Sequence, residues 1–250
     1  MIRRLLVLYF LICATVLAAA QVGQIPDWPP RTIVIPLGTP QSLGVSGDVN
    51  NAASTRTMTT TANIGAGDLA GFCLLLNNGS ATVSSLSDGT NSYAKATSAI
   101  NGTTKELGLW YKDNASAVGS GATVTATFNV GASGAPIVWT MIGWHVSGVA
   151  VSPLDQIASN FTSMSSSSLS STTPSLSQAN EIVAGCTAQV VSGTSYNGSA
   201  GFSNIDHVAP GSSLANADYK IVASTAASTY ANNYSSSSTL FNAQATFKGH

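Results

Sequence analysis

The sequence predicts an all-β protein, a two-sheet, mostly antiparallel sandwich of jelly-roll-like type. Three observations predict it. From about residue 53 onward, short runs rich in Val, Thr, Ile and aromatic residues alternate with clusters of Gly, Asn, Asp and Ser. Several of these runs alternate apolar with polar residues at the period of two that a strand requires. No window of helical length keeps a period of 3.6.

The N-terminus is set apart from that fold. Arg3 and Arg4 precede an apolar stretch from Leu5 to Ala20 that closes on Ala18-Ala19-Ala20, the pattern of a secretory signal peptide over residues 1–20. The stretch falls short of the roughly 20 apolar residues that span a bilayer, and no later stretch is long and apolar enough. No membrane attachment is therefore expected after cleavage, and the expected location is secreted, periplasmic or cell-surface. Removing the segment leaves seven basic against ten acidic residues, a formal charge of −3. Such a chain has no electrostatic attraction for nucleic acid. Charged residues make up 8% of the sequence, against about a quarter in an ordinary globular domain, and Ser and Thr take their place on the surface.

Residues 21–52 read as an extended leader, because Pro26, Pro29, Pro30, Pro36 and Pro40 each lack a ladder donor. At most, Thr32 to Ile35 forms a short edge strand there. The sandwich domain is expected over 53–250. Its clearest strand is "ATVTATFNV", which places Val124, Ala126 and Phe128 on a core face and Thr123, Thr125 and Thr127 on a water face. "ELGLWYKDN" sets Leu107, Leu109 and Tyr111 opposite Gly108, Trp110 and Lys112. "APIVWTMIGWHVSGV" is apolar on both faces and reads as a central strand. The Asp88-Gly89 pair in "SLSDGTNSY" favours a tight reversal. The Ser-rich stretch from Thr162 to Gln178 reads as a long crossover with at most one strand.

Two segments repeat a pattern. In "GDLAGFCLLL" Asp68 stands five places before Cys73, and in "ANEIVAGCTA" Glu181 stands five places before Cys186. Inward positions fall at Leu69, Gly71, Cys73 and Leu75 in one and at Ile182, Ala184, Cys186 and Ala188 in the other. Both cysteines thus point to one side at one depth, and the mature chain holds no others. Export into an oxidising compartment favours a Cys73–Cys186 disulfide; two unpaired cysteines serving as small core residues are the alternative.

Several stretches together resemble a family of exported or phage-associated bacterial β-sandwich proteins with a jelly-roll-like fold. They are "AGDLAGFCLLLNN", "VSSLSDGTNSYAKA", "KELGLWYKDNASAVGSGATVTATF", "VSGVAVSPLDQIAS", "LSQANEIVAG", "GFSN", "DYKIVASTAASTY" and "ATFKG". The resemblance runs from about Ala53 to the C-terminus and implies the fold. It implies no settled activity and supplies no catalytic residue. Paired cysteines are not common in that family, so the disulfide rests on this sequence alone.

Candidate chemistry is sparse, and no catalytic residue is assigned. His145 lies within an apolar strand, where a partnered histidine is expected. Asp206 and His207 are adjacent on an extended chain and so point apart, and no G-x-S-x-G elbow accompanies them. Glu106 and Glu181 are the only glutamates. Glu106 opens a strand beside Lys105, and Glu181 occupies the repeat position of Asp68, so both read as structural. With Asp155 they are the residues that a glycoside hydrolase or lyase, the weaker alternative, would use. "SDGTNS" lacks the downstream carboxylates of a calcium loop, and no metal or cofactor is expected.

The aromatic residues are more suggestive. Trp110 falls opposite the core-type face of its strand, and Tyr196, Tyr230 and Tyr234 stand among Gly, Ser and Asn. Exposed rings stack on sugar faces while Asn and Ser bond the hydroxyls; for Trp110 the alternative is packing under a loop. The expected function is a non-catalytic extracellular module that binds a surface polysaccharide or another cell-surface component through these four residues. A structural or assembly protein, such as a virion or surface-layer decoration subunit, is the alternative.

Overall fold

A computed structural model of the chain describes residues 35–50, 54–77, 81–102, 105–129, 137–162, 166–190, 195–211 and 213–250. The expected signal peptide and Thr32 to Val34 lie outside these residues. Fifteen strands and no helix are found among them. In chain order the first eight are β1 (Gln41–Asn50), β2 (Thr55–Thr59), β3 (Leu69–Asn77), β4 (Thr82–Ser87), β5 (Ala94–Asn101), β6 (Lys105–Lys112), β7 (Thr123–Asn129) and β8 (Ile137–Val146). The other seven are β9 (Val149–Phe161), β10 (Ser166–Thr172), β11 (Glu181–Val190), β12 (Tyr196–Ser199), β13 (Ser203–Val208), β14 (Leu214–Val222) and β15 (Thr229–Gly249).

The fold is the all-β antiparallel sandwich that the alternation predicted, with more layers. One five-stranded sheet runs β1-β8-β3-β6-β5. One of its faces packs on the sheet formed by β9, the second half of β15, β11, β14 and β13. That interface holds the inward set of both repeats: Leu69, Cys73 and Leu75 meet Ile182, Ala184, Cys186 and Ala188, with Trp144 and Phe247 beside them. The opposite face packs on a third sheet, β2-β7-β4, through Phe72, Leu74, Leu76, Met58, Val124 and Phe128. The five-stranded sheet is therefore a middle layer. This explains why "LAGFCLLL" is apolar without a break, since a strand covered on both faces has no position that favours a polar residue.

Cys73 and Cys186 are disulfide-bonded across the first interface, with Cα atoms 5.5 Å apart. Each lies at the centre of its sheet, because β3 pairs on both sides with β6 and β8, and β11 with β14 and β15. The bond closes a loop of 113 residues, and in the chain-entropy account such a constraint on the unfolded chain is worth about 4–5 kcal/mol.

Three local expectations are refined. The expected leader ran to residue 52, but β1 starts at Gln41 and pairs with β8 through nine register positions. A bulge between Ser42 and Gly44, where Gly44 has φ +108°, breaks its alternation and hides it from a period-two reading. Ile35 belongs to no strand. The Asp88-Gly89 turn forms, with Gly89 at φ +85°, and Asp88 Oδ1 accepts from the backbone N–H groups of Thr90 (2.8 Å) and Asn91 (2.6 Å). It leads from the three-stranded sheet into the five-stranded one instead of closing a regular hairpin, since β4 and β5 lie in different sheets. The Ser-rich crossover contains one strand, β10.

The last strand carries the departure that matters most for function. β15 is 21 residues long. Its second half lies between β11 and β9, while its first half leaves the sheet and pairs with β10 and β12 to make a covering leaf. This leaf lies over the outer face of β11 and β14, where the sequence places polar residues at alternate positions. Thr187, Gln189, Asn216, Asp218, Asn242 and Gln244 are all buried. Burying a polar group is tolerated where a partner is found. Here Thr187 Oγ1 meets the Tyr234 hydroxyl (2.7 Å), Gln189 Nε2 donates to Ser236 O (2.6 Å), and Asn242 Nδ2 donates to Tyr230 O (2.9 Å).

Candidate functional site

The covering leaf stops short of the edge strand β13, and an open cavity of about 650 Å³ remains between β12, β13 and β14. Its floor is the outer face of β14. Because β14 is extended, Leu214, Asn216 and Asp218 point one way while Ala215 and Ala217 point into the sandwich core. β13 pairs with β14 so that His207 stands opposite Asn216 and Asn204 opposite Asp218. Tyr196, Asn197 and Ser199 of β12 form the far wall, and Phe202, in the turn between β12 and β13, completes it.

Asp218 organises this wall. It is 2% exposed, and its Oδ2 accepts from the Tyr196 hydroxyl and from the Tyr230 hydroxyl at 2.6 Å, while its Oδ1 accepts from Asn204 Nδ2 at 2.9 Å. Burial pushes the Asp218 carboxyl above the ordinary aspartate range, and the three donors work against that rise without cancelling it. Burial and then the charge of Asp218 hold the Tyr196 and Tyr230 hydroxyls well above the usual phenol range, so both remain donors. Tyr196 also reaches Asn232 Oδ1 at 2.9 Å. Ser199 Oγ on the wall is buried and makes no hydrogen bond. Asn216, also buried, acts on the Tyr234 hydroxyl and counters part of the rise that burial causes there. Phe202 lies against the Tyr230 ring at 4.8 Å between centroids, with the Lys220 ammonium over it at 5.9 Å.

The four aromatic residues singled out in the sequence are placed differently from the exposed-loop expectation. Tyr230 is fully buried and Tyr234 nearly so, both on β15, and polar neighbours surround them because the whole leaf interior is polar. Trp110 is buried on β6 between the five- and three-stranded sheets, under the Lys95 ammonium at 5.1 Å. These three rings therefore present no face for stacking on a ligand. Tyr196 is half-buried on β12, packs on Tyr234 at 5.6 Å and lines the cavity. Tyr196, Tyr230 and Tyr234 are brought together around Asp218 and Thr187, while Trp110 stands in another layer.

The other candidates resolve as follows. His145 Nδ1 lies 2.8 Å from Asp68 Oδ2, which also accepts from the Gly65 N–H at 2.9 Å. Asp206 turns away from the His207 ring, taking the Ser42 hydroxyl at 2.6 Å and the His207 backbone N–H at 2.8 Å. Glu106 is ion-paired with Lys95. Glu181 is fully buried, and burial, with the charge of Asp155 adding to it, raises its carboxyl above the ordinary range, while Thr246 and the Gln178 backbone act against that rise without cancelling it. For Asp155 burial also acts upward, but hydrogen bonds, chiefly from Ser177 with its N–H at 2.7 Å, hold it below the usual value. Glu106 and Glu181 sit in different sheets, so the only close carboxyl couple among these three is Asp155 with Glu181. Among the described residues no group of three or more His, Cys, Asp or Glu is placed to hold a metal ion, and no helix is long and apolar enough to cross a membrane.

Sequence reasoning missed Asp218, Asn204, Asn216, Ser199 and Phe202. "LANADYK" alternates small apolar with polar residues, which reads as a solvated strand face; the cover that makes it a cavity wall comes from residues 196–199 and 229–238. A scan against protein-family models matched none, and searches of curated proteins and of solved structures found no match.

Proposed function

We propose that the protein is a non-catalytic extracellular module that binds glycan in the cavity between β12, β13 and β14. The observation that carries this reading is the make-up of that cavity: amide side chains (Asn197, Asn204, Asn216) and hydroxyls beside the rings of Tyr196 and Phe202, in an open space of about 650 Å³. Sugars need this combination, because their hydroxyls bond planar amides while their C–H faces lie on aromatic carbon. The site has moved from the exposed loops first expected to a wall in which Tyr196 alone of the four aromatic residues takes part. The signal-like N-terminus and the buried disulfide support an exported location.

The reading is tested on a glycan array with analysis of products. Phe202→Ala and Asn204→Ala, both at the cavity rim, are expected to weaken binding at least tenfold while the far-UV spectrum is unchanged. Absence of any carbohydrate binding refutes the reading, and released oligosaccharide revives the hydrolase alternative. A second reading, an assembly subunit, draws on the exposed apolar side chains of β9, Val151 (74% exposed), Ile157 and Phe161; a concentration-dependent oligomer lost in Val151→Ser and Phe161→Ser would favour it.

A further inference from the structure

We propose that the outer face of the three-stranded sheet β2-β7-β4 binds the surface of ice, a function separate from the glycan cavity. Alternation sends Met58, Val124, Ala126 and Phe128 into the core between this sheet and the middle layer, so the residues between them face outward. The register sets Thr55 opposite Thr127, Thr57 opposite Thr125 and Thr59 opposite Thr123. Across the other edge of β7, Ser85 stands opposite Thr127 and Ser87 opposite Thr125. The sequence showed one row of threonines, on β7; strand pairing makes it a grid. Thr55, Thr57, Thr59 and Thr123 are exposed, and Thr125 and Thr127 are half-buried. Among the described residues, none of these six hydroxyls makes a hydrogen bond.

The grid is regular. In an antiparallel pair, positions two apart have the same hydrogen-bonding type, so the three facing threonine pairs share one cross-strand spacing. Rows follow one another at about 6.4–6.8 Å along the strands, with about 4.5–5.5 Å between paired residues across them. Threonine is stiff at χ1, so methyl groups and hydroxyls are held at fixed places. β4 departs from the pattern at its bulge between Val83 and Ser85, and Ser87 Oγ is committed to Asn91 O at 2.8 Å. The six threonines are therefore the working face.

The chemistry of this face selects its partner. No charged or aromatic residue shares it, since Arg56 falls by alternation on the Met58 side. Complementarity of charge then favours a neutral partner. A dissolved ligand must displace water from these hydroxyls, and one hydrogen bond replaces another for little net gain. No ring is present to add stacking. Ice makes no such exchange, because its surface is itself water, neutral and repeating in two dimensions at distances comparable to those of the grid. The threonine hydroxyls take positions in that lattice and the methyl groups fill the spaces between them.

The test grows ice slowly from a dilute solution of the oxidised, full-length mature protein carrying a fluorescent label, and compares protein in the ice with protein left in the liquid. Thermal hysteresis is read on the same samples. The parent is expected to enter the ice at least tenfold more than a labelled protein without ice affinity. Thr125→Lys, which puts a charge at the middle of the grid, should remove both the enrichment and the hysteresis with an unchanged far-UV spectrum. Thr57→Lys, at an exposed position on the edge strand β2, serves as a second variant should the first disturb β7. Ser170→Lys, exposed on the covering leaf, should behave as the parent. Exclusion of the parent from ice, at the level of the reference protein, overturns the inference. Enrichment that survives both threonine substitutions overturns the assignment to this face. If the parent is instead retained on insoluble cellulose or chitin, or forms a concentration-dependent dimer, and Thr57→Lys abolishes that, the face serves polysaccharide or self-association and the inference falls. The glycan reading of the cavity is decided by its own array and stands or falls apart from these results.

Discussion

Gly185 is where a single methyl group would test the covering leaf. It faces outward from the centre of β11, and a β-carbon built on it would lie 2.6, 2.7 and 2.8 Å from Cζ, Cε1 and Cε2 of Tyr230. Carbon atoms pack at about 3.5–4.0 Å, so the ring must withdraw by roughly 1 Å. It has no room to do so. Tyr230 is fully buried, Phe202 lies against it at 4.8 Å, its hydroxyl is bonded to Asp218 at 2.6 Å, and its backbone pairs with Ser171 of β10. Overpacking of this kind costs about 1–3 kcal/mol, and pulling the hydroxyl away from a buried carboxylate adds about 1.5–3 kcal/mol. Gly185→Ala is therefore expected to destabilise the oxidised protein by about 3–5 kcal/mol in urea unfolding followed by tryptophan fluorescence. The control is a double-mutant cycle. In a Tyr230→Leu background the obstructing ring edge is gone, and the same substitution should cost under about 1 kcal/mol, since Ala is ordinarily no worse than Gly within a strand. Equal costs in both backgrounds, or a cost under about 1 kcal/mol in the parent, would show that the leaf does not press on β11 as described.

Two further outcomes follow from the same layers. Denatured, unreduced mature protein should show no free thiol, and Cys73→Ala with Cys186→Ala should lower stability by up to about 5 kcal/mol; two reactive thiols would refute the bridge. Asp218 has a folded-state carboxyl raised by burial, so the native state holds its proton more strongly than the unfolded chain does. Its contribution is fully present below the ordinary aspartate value and is lost as pH rises through the raised one. The difference in urea midpoint between the parent and Asp218→Asn, measured from pH 3 to pH 8, should therefore move against the parent as pH rises; a flat difference would refute the assignment.

Much of the architecture was legible because strand periodicity acts locally. Val124, Ala126 and Phe128 share a face whatever surrounds them, and the run "APIVWTMIGWHVSGV", apolar on both faces, announced the central strand that β8 is, between β1 and β3. The spacing of Asp68 to Cys73 and of Glu181 to Cys186 was enough to place two thiols at one depth on facing strands, and the structure joins them. Alternation along β14 sets Leu214, Asn216 and Asp218 on one face. It carried no information about what lies over that face, because cover comes from residues distant in sequence. Polar strand faces are read as wet by default, so Tyr230 and Tyr234, standing among Asn and Ser, looked exposed. The first half of β15 instead folds back over β11 and β14, and the polar groups of the two layers largely satisfy each other. Burial of a polar layer depends on hydrogen-bond partners meeting in three dimensions, and neither composition nor local alternation encodes that meeting. The fold class and the disulfide belonged to the sequence; the cavity, its Asp218 centre and the loss of three aromatic rings to the interior were decided by tertiary packing.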